Sequence, residues 1–218
     1  MIAPQVYITG TDTDVGKTMV CGLIARAMVA SYGAATVVKI AQTGIAAGAP
    51  GDAEFAAGVA RCQALELARF PKAADPWSAS VAAGSTPLRA RPLAQRLRNI
   101  TGALVVEGSG GAAVPLNSSE SISDVALYAN LDALVVVGVR LGCINHTILT
   151  LRYLRAAGIR HRGVVLSVRW PDTPKDYVAE VETVLHTYAP VLAIVDGDEL
   201  QDGRDTGRAI LTRLESLP

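Results

Sequence analysis

The chain has 218 residues, 50% of them hydrophobic, and its 20 lysines and arginines balance 20 aspartates and glutamates. This length and apolar content suit one α/β domain with its own core. The balanced charge provides no global field that would attract nucleic acid or an anionic membrane. No apolar stretch approaches the roughly 20 residues of a membrane span, and the start of the chain lacks a signal-peptide pattern. We therefore expect a single cytoplasmic domain over residues 1–218, with no nucleic-acid or membrane partner.

The three cysteines are scattered along the chain without C-x-x-C spacing; they are Cys21, Cys62 and Cys143. An odd and scattered set argues against both a disulfide framework and a zinc site. We expect all three to be reduced and packed within the fold.

Residues 10–18 (GTDTDVGKT) match the phosphate-binding pattern G-x-x-x-x-G-K-[ST]. They lie between a strand-like run at 5–9 and a helix-like run at 19–29, which is the order of elements that the motif requires. The glycines let successive backbone N–H groups point at phosphate oxygens, and the helix adds its positive N-terminal end. Lys17 is expected to reach the terminal phosphates and Thr18 to ligate Mg²⁺.

Strand and helix patterns alternate along the rest of the chain. The predicted strands are residues 5–9, 36–40, 103–107, 133–139, 162–168 and 191–195. The predicted helices are residues 19–29, 53–69, 91–99, a helix entered through residues 140–146 that ends near 157, and residues 175–188 and 204–217. Residues 71–91 contain three prolines and no clear period, so this segment is predicted to be irregular. The alternation predicts a doubly wound, mostly parallel sheet of the P-loop NTPase type, with helices on both faces.

A lysine stands at the end of the second predicted strand, where the strand meets the next loop. In an open parallel sheet, ligands bind outside the carboxyl ends of the strands, and the phosphate-binding loop lies at that edge. Lys39 is therefore expected to face the phosphates, the alternative being a lysine that extends from an edge strand into solvent. Because its role would rest on charge rather than packing, we expect Lys39→Ala to nearly abolish turnover and leave the fold intact. Thr43 follows closely, and its hydroxyl either hydrogen-bonds a substrate or caps the turn.

Two carboxylates are candidates for a Mg²⁺ site. Asp52 follows the small, glycine-rich segment 46–51, and it either caps the next helix or ligates the ion. Glu107 ends an apolar strand and precedes a glycine-rich turn, where small residues let a phosphate or substrate approach. Glu107 has the alternative roles of capping a helix or pairing with a lysine. The metal role is favoured because a charge at the end of a buried strand is otherwise costly.

Residues 140–146 (RLGCINH) follow the apolar strand 133–139 and enter a helix. A glycine and an amide side chain before a helix offer N–H donors for a carboxylate. His146 alone is expected to be structural rather than catalytic.

Four motifs together resemble the dethiobiotin synthetase family, and the resemblance covers nearly the whole chain. They are GTDTDVGKT at 10–18, KIAQTG at 39–44, VEGSGG at 106–111 and RLGCINHTILT at 140–150. The motif at 140–150 is the most specific, since LGCINH is not expected in a generic phosphate-loop ATPase. The resemblance implies closure of the ureido ring of dethiobiotin, in biotin biosynthesis, from 7,8-diaminopelargonic acid, CO₂ and ATP. It further implies a carbamate and a mixed carbamic-phosphoric anhydride on the way to ADP and phosphate.

The resemblance also implies roles for individual residues. Mg²⁺ would be held by Thr18, Asp52 and Glu107, and the catalytic side chains would be Lys17, Lys39 and Thr43, the last in place of a serine common in the family. The implied nucleotide contacts are Asp14, Val15, Gly16, Lys17, Thr18, Met19, Glu107, Gly108, Ser109, Gly110 and Ser167. The implied substrate contacts are Thr13, Thr43, Gly142, Cys143, Ile144 and Asn145. Of these, residues 142–145 would receive the substrate's carboxylate across a homodimer interface.

The chain departs from the family pattern where the base would bind. Many members carry an Asn-Asp pair, whose asparagine recognises adenine, where this chain has Ser167 and Val168. A proline-tryptophan segment after the last strand is likewise replaced, by Asp196-Gly197-Asp198. We therefore expect weaker discrimination of adenine from other bases, including tolerance of a pyrimidine triphosphate.

Two other functions use similar motifs. A nucleotide-switched ATPase of the partitioning and septum-site type usually carries an additional lysine early in the phosphate-binding loop, where this chain has Thr11. It would also need an exposed basic or amphipathic surface for its partner, and none is evident in the sequence. An amidating ligase on the same scaffold would need a glutaminase domain, which the sequence does not show.

Overall fold

The computed structural model describes residues 3–197 and 205–216, in which strands and helices alternate. The strands are β1 (Gln5–Gly10), β2 (Ala35–Lys39), β3 (Gln42–Thr43), β4 (Gln63–Glu66), β5 (Arg69–Phe70), β6 (Ala103–Glu107), β7 (Asp132–Gly138), β8 (His161–Val168) and β9 (Val191–Asp196). The helices are α1 (Lys17–Tyr32), α2 (Asp52–Ala60), α3 (Pro76–Ala82), α4 (Ala90–Arg98), α5 (Ser123–Ala129), α6 (Cys143–Ala156), α7 (Lys175–His186) and α8 (Thr206–Ser216).

One seven-stranded sheet organises the described residues, in the strand order β4-β2-β6-β1-β7-β8-β9. Its strand pairs are parallel, and β3 and β5 form a separate parallel pair beside it. The phosphate-binding loop follows β1 at the centre of the sheet. The neighbouring strands β6 and β2 end in Glu107 and Lys39, which are directly paired in register. The carboxyl edge of the sheet therefore brings the loop and both charged residues together.

Helices cover both faces of the sheet, as expected. On one face α1, α2 and α8 enclose a core to which α1 contributes Leu23, Ile24 and Met28. On the other face α4, α5, α6 and α7 enclose a second core, to which α6 contributes Leu151 and Leu154. The inner strands β1, β2, β6 and β7 are buried on both sides, which explains their largely apolar sequences. The predicted doubly wound α/β fold is confirmed.

The prediction of one helix over residues 53–69 was wrong beyond residue 60. Helix α2 ends at Ala60, Arg61 adopts a left-handed conformation with φ 55°, and β4 then pairs with β2. The sequence of β4, Gln-Ala-Leu-Glu, favours a helix locally. Pairing with the edge of the sheet overrides that preference.

The prediction of an irregular segment at 71–91 was also wrong in part. Asp75 accepts a hydrogen bond from the Ser78 backbone N–H, and Pro76 occupies the first turn of α3, so two favourable start signals combine there. Helix α5 was not predicted. The predicted helix 204–217 corresponds to α8, while residues 204 and 217 lie outside the described residues.

Two further sequence predictions concern membranes and cysteines. Among residues 3–197 and 205–216, none of the helices has the length and apolar character needed to cross a bilayer. All three cysteines are free, as expected. Cys21 and Cys143 are buried, while Cys62 is only half-buried.

Candidate active site

The phosphate-binding loop ends at Gly16, which caps α1 in a left-handed conformation with φ 99°. A Cβ atom at this position would lie 2.5 Å from Ser167 Oγ on the neighbouring strand β8. Both the backbone conformation and this close approach require glycine. The result is a tight loop whose N–H groups and helix end form a site for an anion.

Lys17 is buried at the first position of α1, and its Nζ donates a hydrogen bond to the Asp12 carbonyl oxygen at 2.8 Å. Burial, followed by repulsion from Lys39, lowers the pKa of Lys17 to about 8. The ammonium group is thus held in the loop with little compensating negative charge. A phosphate group would supply that charge.

Lys39 forms ion pairs with two carboxylates at the same edge of the sheet. Its Nζ lies 2.7 Å from Glu107 Oε1 and 2.6 Å from Asp52 Oδ2. Burial alone would lower the pKa of Lys39, but Glu107 and then Asp52 outweigh it and hold the pKa above its ordinary value. Because β2 lies between β4 and β6, Lys39 is not on an edge strand, and its side chain is only 5% exposed. Lys39 is therefore a buried cation that faces the phosphate-binding loop.

Glu107 is 1% exposed, and its two carboxylate oxygens differ in their surroundings. Oε1 accepts hydrogen bonds from Lys39 Nζ and, at 3.0 Å, from Thr18 Oγ1. Oε2 is buried and lacks a hydrogen-bond partner among the described residues. A buried carboxylate oxygen normally has a partner, so Oε2 is positioned to bind a further cation or hydrogen-bond donor.

Asp52 is the first residue of α2, and Gly51 occupies the cap position, so Asp52 does not act as the N-cap. Its backbone N–H donates instead to Gln42 Oε1 at 2.8 Å. The carboxylate points at Lys39. Asp52 and Glu107 thus flank the Lys39 ammonium group, and Thr18 joins them through its hydrogen bond to Glu107.

A cavity of about 600 Å³ opens over this cluster. It is lined by Thr13, Asp14, Gly16, Lys17, Thr18, Lys39, Ala41, Gln42, Thr43, Ile45, Asp52, Ala73, Ala74, Asp75, Pro76, Glu107, Ser109, Gly110, Val114 and Arg169. The phosphate-binding loop forms one wall, and Thr43 with residues 73–76 forms another. Within it, Ser109 Oγ donates a hydrogen bond to the Ala41 carbonyl oxygen, which fixes the glycine-rich turn against the end of β2. The volume is sufficient for a small organic substrate beside a phosphate group.

Comparison with known sequences decides the family. A family model described as an AAA domain matches residues 4–203. The ATP-dependent dethiobiotin synthetase BioD of Saccharopolyspora erythraea is 40% identical over 171 residues, covering 77% of this chain and 75% of that protein. BioD of Anaeromyxobacter dehalogenans strain 2CP-C is 34% identical over 218 residues, covering 96% and 98% of the two chains. The chain belongs to the dethiobiotin synthetase family.

Solved structures with similar folds include other P-loop proteins. The cell division ATPase MinD of Pyrococcus furiosus aligns with a TM-score of 0.61 at 17% identity, covering 98% of this chain and 99% of that one. A ParA family ATPase from Chlorobium tepidum aligns with a TM-score of 0.56 at 12% identity, covering 99% and 93%. At such low identity, these similarities show only that this chain has the P-loop α/β fold.

Several residues that the dethiobiotin synthetase resemblance implied for the nucleotide lie behind the cavity wall. Val15 is buried in the core around α1, Met19 is half-buried against that core, and Gly108 joins β6 to β1 through a backbone hydrogen bond to Ile8. Ser167 is buried against Gly16. For Val15 and Gly108, any contact with nucleotide would come from the backbone.

The segment implied for the dethiobiotin synthetase substrate's carboxylate lies outside this cavity. Gly142 caps α6 with φ 92°, and Cys143 is buried, while Ile144 is half-buried and Asn145 is exposed. Arg140 ties the segment to the phosphate-binding loop through an ion pair with Asp12 at 2.5 Å. One chain therefore does not bring residues 142–145 together with the Lys39 cluster.

Sequence reasoning missed two charged residues of the cavity. Arg169 follows the end of β8, and its Cδ would lie 3.4 Å from a Cβ atom on Gly16. Asp75 precedes α3 on the wall that carries Thr43. A cation immediately after Ser167-Val168 was a usable signal for Arg169, whereas the position of Asp75 depends on how residues 71–75 fold back, which the local sequence does not specify.

Proposed function

We propose that this chain closes the ureido ring of dethiobiotin from 7,8-diaminopelargonic acid, CO₂ and ATP in the cytoplasm. The main support for the proposal is the buried Lys39 ammonium group, which faces the phosphate-binding loop across one cavity. Membership of the dethiobiotin synthetase family supports the same reaction. The site thus combines positive charge for transferred phosphate with room for a small substrate.

In the proposed reaction, one substrate amine takes up CO₂ as a carbamate and loses a proton. A carbamate oxygen attacks the γ-phosphorus of ATP, and ADP leaves. The second amine then attacks the carbamoyl carbon and loses a proton, the bond from that carbon to the phosphate oxygen breaks, and phosphate leaves as the ring closes. The protein supplies no nucleophile, so catalysis rests on positioning and charge neutralisation.

The residues of the cavity have distinct roles in this scheme. Lys17 and the loop N–H groups bind the β- and γ-phosphates, which is consistent with the depressed pKa of Lys17. Lys39 remains charged through Glu107 and Asp52, and it stabilises negative charge on the carbamate and the transferred phosphoryl group. Thr43 lines the cavity with its hydroxyl available to the substrate.

The donors around Lys39 fit a magnesium ion. Glu107 Oε2 lacks a partner among the described residues, and Thr18 and Asp52 contribute further oxygen atoms beside it. Oxygen ligands from one or two carboxylates, completed by phosphates and water, are what Mg²⁺ prefers. Thr18, Asp52 and Glu107 would therefore hold the ion, which would neutralise phosphate charge when bound. The protein holds these oxygen atoms in place on α1, α2 and β6.

We further propose a homodimer in which residues 142–145 of one chain complete the site of the other. Supporting this, Leu141 and Leu149 are exposed by 92% and 55% beside that segment. Mixing two inactive variants tests this arrangement. Lys39→Met damages the half of the site that binds phosphate, and Asn145→Asp repels the substrate's carboxylate from the half that the other chain contributes. Random exchange into mixed dimers should restore about a quarter of the wild-type activity. Activity that stays absent after exchange would contradict a shared site.

The proposed reaction is tested by phosphate release from MgATP and bicarbonate, with and without 7,8-diaminopelargonic acid, followed by mass analysis of the product. Release that depends on the diamine, together with dethiobiotin, is the expected result. Phosphate release that does not depend on the diamine would favour a nucleotide-switched ATPase instead. An inactive Lys39→Met variant serves as the matched control for contaminating phosphatases.

A further inference from the structure

The cavity contains more charged groups than the phosphate chemistry uses. Its charged lining residues are Asp14, Lys17, Lys39, Asp52, Asp75, Glu107 and Arg169. Asp52 and Glu107 are engaged with Lys39. Asp14 lies at the exposed tip of the phosphate-binding loop. Asp75 is therefore the carboxylate that lies away from both the loop and the lysine cluster.

Asp75 lies on the wall of the cavity that carries Thr43. The backbone N–H of Gly44 donates a hydrogen bond to the Lys72 carbonyl oxygen at 3.1 Å, and a Cβ atom on Gly44 would lie 3.1 Å from Ala73 Cβ. These contacts pack the segment before α3 against the turn that follows β3. Asp75 thus faces the part of the cavity where the substrate, rather than the triphosphate, is expected.

The hydrogen bonds of the Asp75 side chain are all with the first turn of α3 and its own backbone. Its Oδ1 accepts a hydrogen bond from the Ser78 backbone N–H at 2.9 Å, which caps α3. Among the described residues, no lysine, arginine or histidine forms an ion pair with it. Burial raises the pKa of Asp75, but the hydrogen bonds with Ser78 outweigh this and hold the pKa below its ordinary value. Asp75 is thus a carboxylate without a counter-cation in a cavity proposed to receive a diamine.

We propose that Asp75 is a substrate-binding residue that forms an ion pair with one amino group of the diamine. This inference rests on the proposed function, because it names the part of that substrate which the residue recognises. An amine is a cation at neutral pH and matches an unpaired carboxylate in a partly enclosed site. Asp75 would hold one amine as its ammonium ion while the other takes up CO₂, and the held amine would release its proton before it attacks the carbamoyl carbon. It forms no covalent bond and acts by orienting the diamine.

The test removes the charge without removing the helix cap. Asparagine and serine are as good as aspartate at an N-cap position, so Asp75→Asn and Asp75→Ser should leave α3 intact. Both variants should raise the KM for 7,8-diaminopelargonic acid by about tenfold to a hundredfold, which is the range for a lost hydrogen bond to a charged group. The KM for ATP should stay within about twofold of wild type, and thermal melting should confirm the fold of each variant.

Asp205→Asn is the matched control. Asp205 also caps a helix, since its Oδ1 accepts the Arg208 backbone N–H at 3.1 Å, but it does not line the cavity. This variant should leave both KM values unchanged. A diamine KM that Asp75→Asn and Asp75→Ser leave unaltered would overturn the inference, as would equal rises in both KM values. An inactive wild-type protein would instead refute the proposed function itself.

Discussion

Replacing Lys39 by methionine should reduce both activity and stability. The substitution keeps the length of the side chain but removes the ammonium group that compensates Glu107, which is 1% exposed, and Asp52, whose side chain is 35% exposed. Asp52 can be solvated after the change, whereas Glu107 retains only the Thr18 hydroxyl among the described contacts. Breaking a buried ion pair by removing one partner costs about 3–5 kcal/mol.

This expectation revises the prediction from sequence that a change at Lys39 would leave the fold intact. Urea denaturation of wild type and Lys39→Met should show a loss in the free energy of unfolding of that size, with turnover nearly abolished. The double variant Lys39→Met/Glu107→Gln removes both charges. It should recover most of the lost stability while remaining inactive, because neutral partners leave no uncompensated buried charge.

Two results would refute the reasoning about Lys39. A single variant within about 0.5 kcal/mol of wild type would show that Lys39 does not compensate a buried charge, since that is the ordinary scatter of surface substitutions. A single variant with near-normal turnover would show that Lys39 does not act on the phosphate or the carbamate. Recovery of activity in the double variant would lead to the same conclusion.

Three further predictions concern the nucleotide. Lys17, with a pKa of about 8 in the free protein, must take up a proton to bind phosphate at higher pH, so ATP affinity measured by calorimetry should fall about tenfold between pH 7 and pH 9. Lys17→Arg should remove this dependence, and a flat wild-type profile would contradict the assignment. At equal concentrations, CTP and GTP should support turnover comparable to that with ATP. The variant Ser167→Asn should shift the nucleotide preference toward ATP. Strict use of ATP by the wild type would disprove the predicted tolerance of other bases. Arg169→Gln should raise the KM for ATP several-fold by removing a charge-assisted contact, with the diamine KM as the internal control.

The parts of the site predicted from sequence are those coded by local patterns. The phosphate-binding loop, Lys39 and Glu107 each stand where a strand ends, and parallel strands bring their carboxyl ends to one edge. That rule predicted Lys39 and Glu107 at the same edge of the sheet, and the register of β2 and β6 pairs the two residues directly. Glu107 forms an ion pair with Lys39, so the alternative of a lysine partner is confirmed, while the metal role of Glu107 stays a prediction.

The parts that could not be predicted depend on contacts between distant segments. The sequence of β4 favours a helix, and only its place beside β2 makes it a strand. The cavity wall formed by residues 73–76 exists because this segment packs against Gly44, nearly thirty residues earlier in the chain. Asp75 enters the site through such contacts, which a single sequence does not encode in a readable pattern, whereas Arg169 directly follows the end of β8 and could have been found from that position.

The most direct test of the proposed chemistry follows oxygen atoms from bicarbonate. With bicarbonate labelled by the heavy oxygen isotope, attack of a carbamate oxygen on ATP and later expulsion of phosphate must place one labelled oxygen in each phosphate released. Mass analysis of phosphate after a brief reaction with ATP and 7,8-diaminopelargonic acid should therefore show one heavy oxygen for each dethiobiotin formed. Unlabelled phosphate would mean that water attacks ATP, and it would contradict a carbamate phosphorylated in this site.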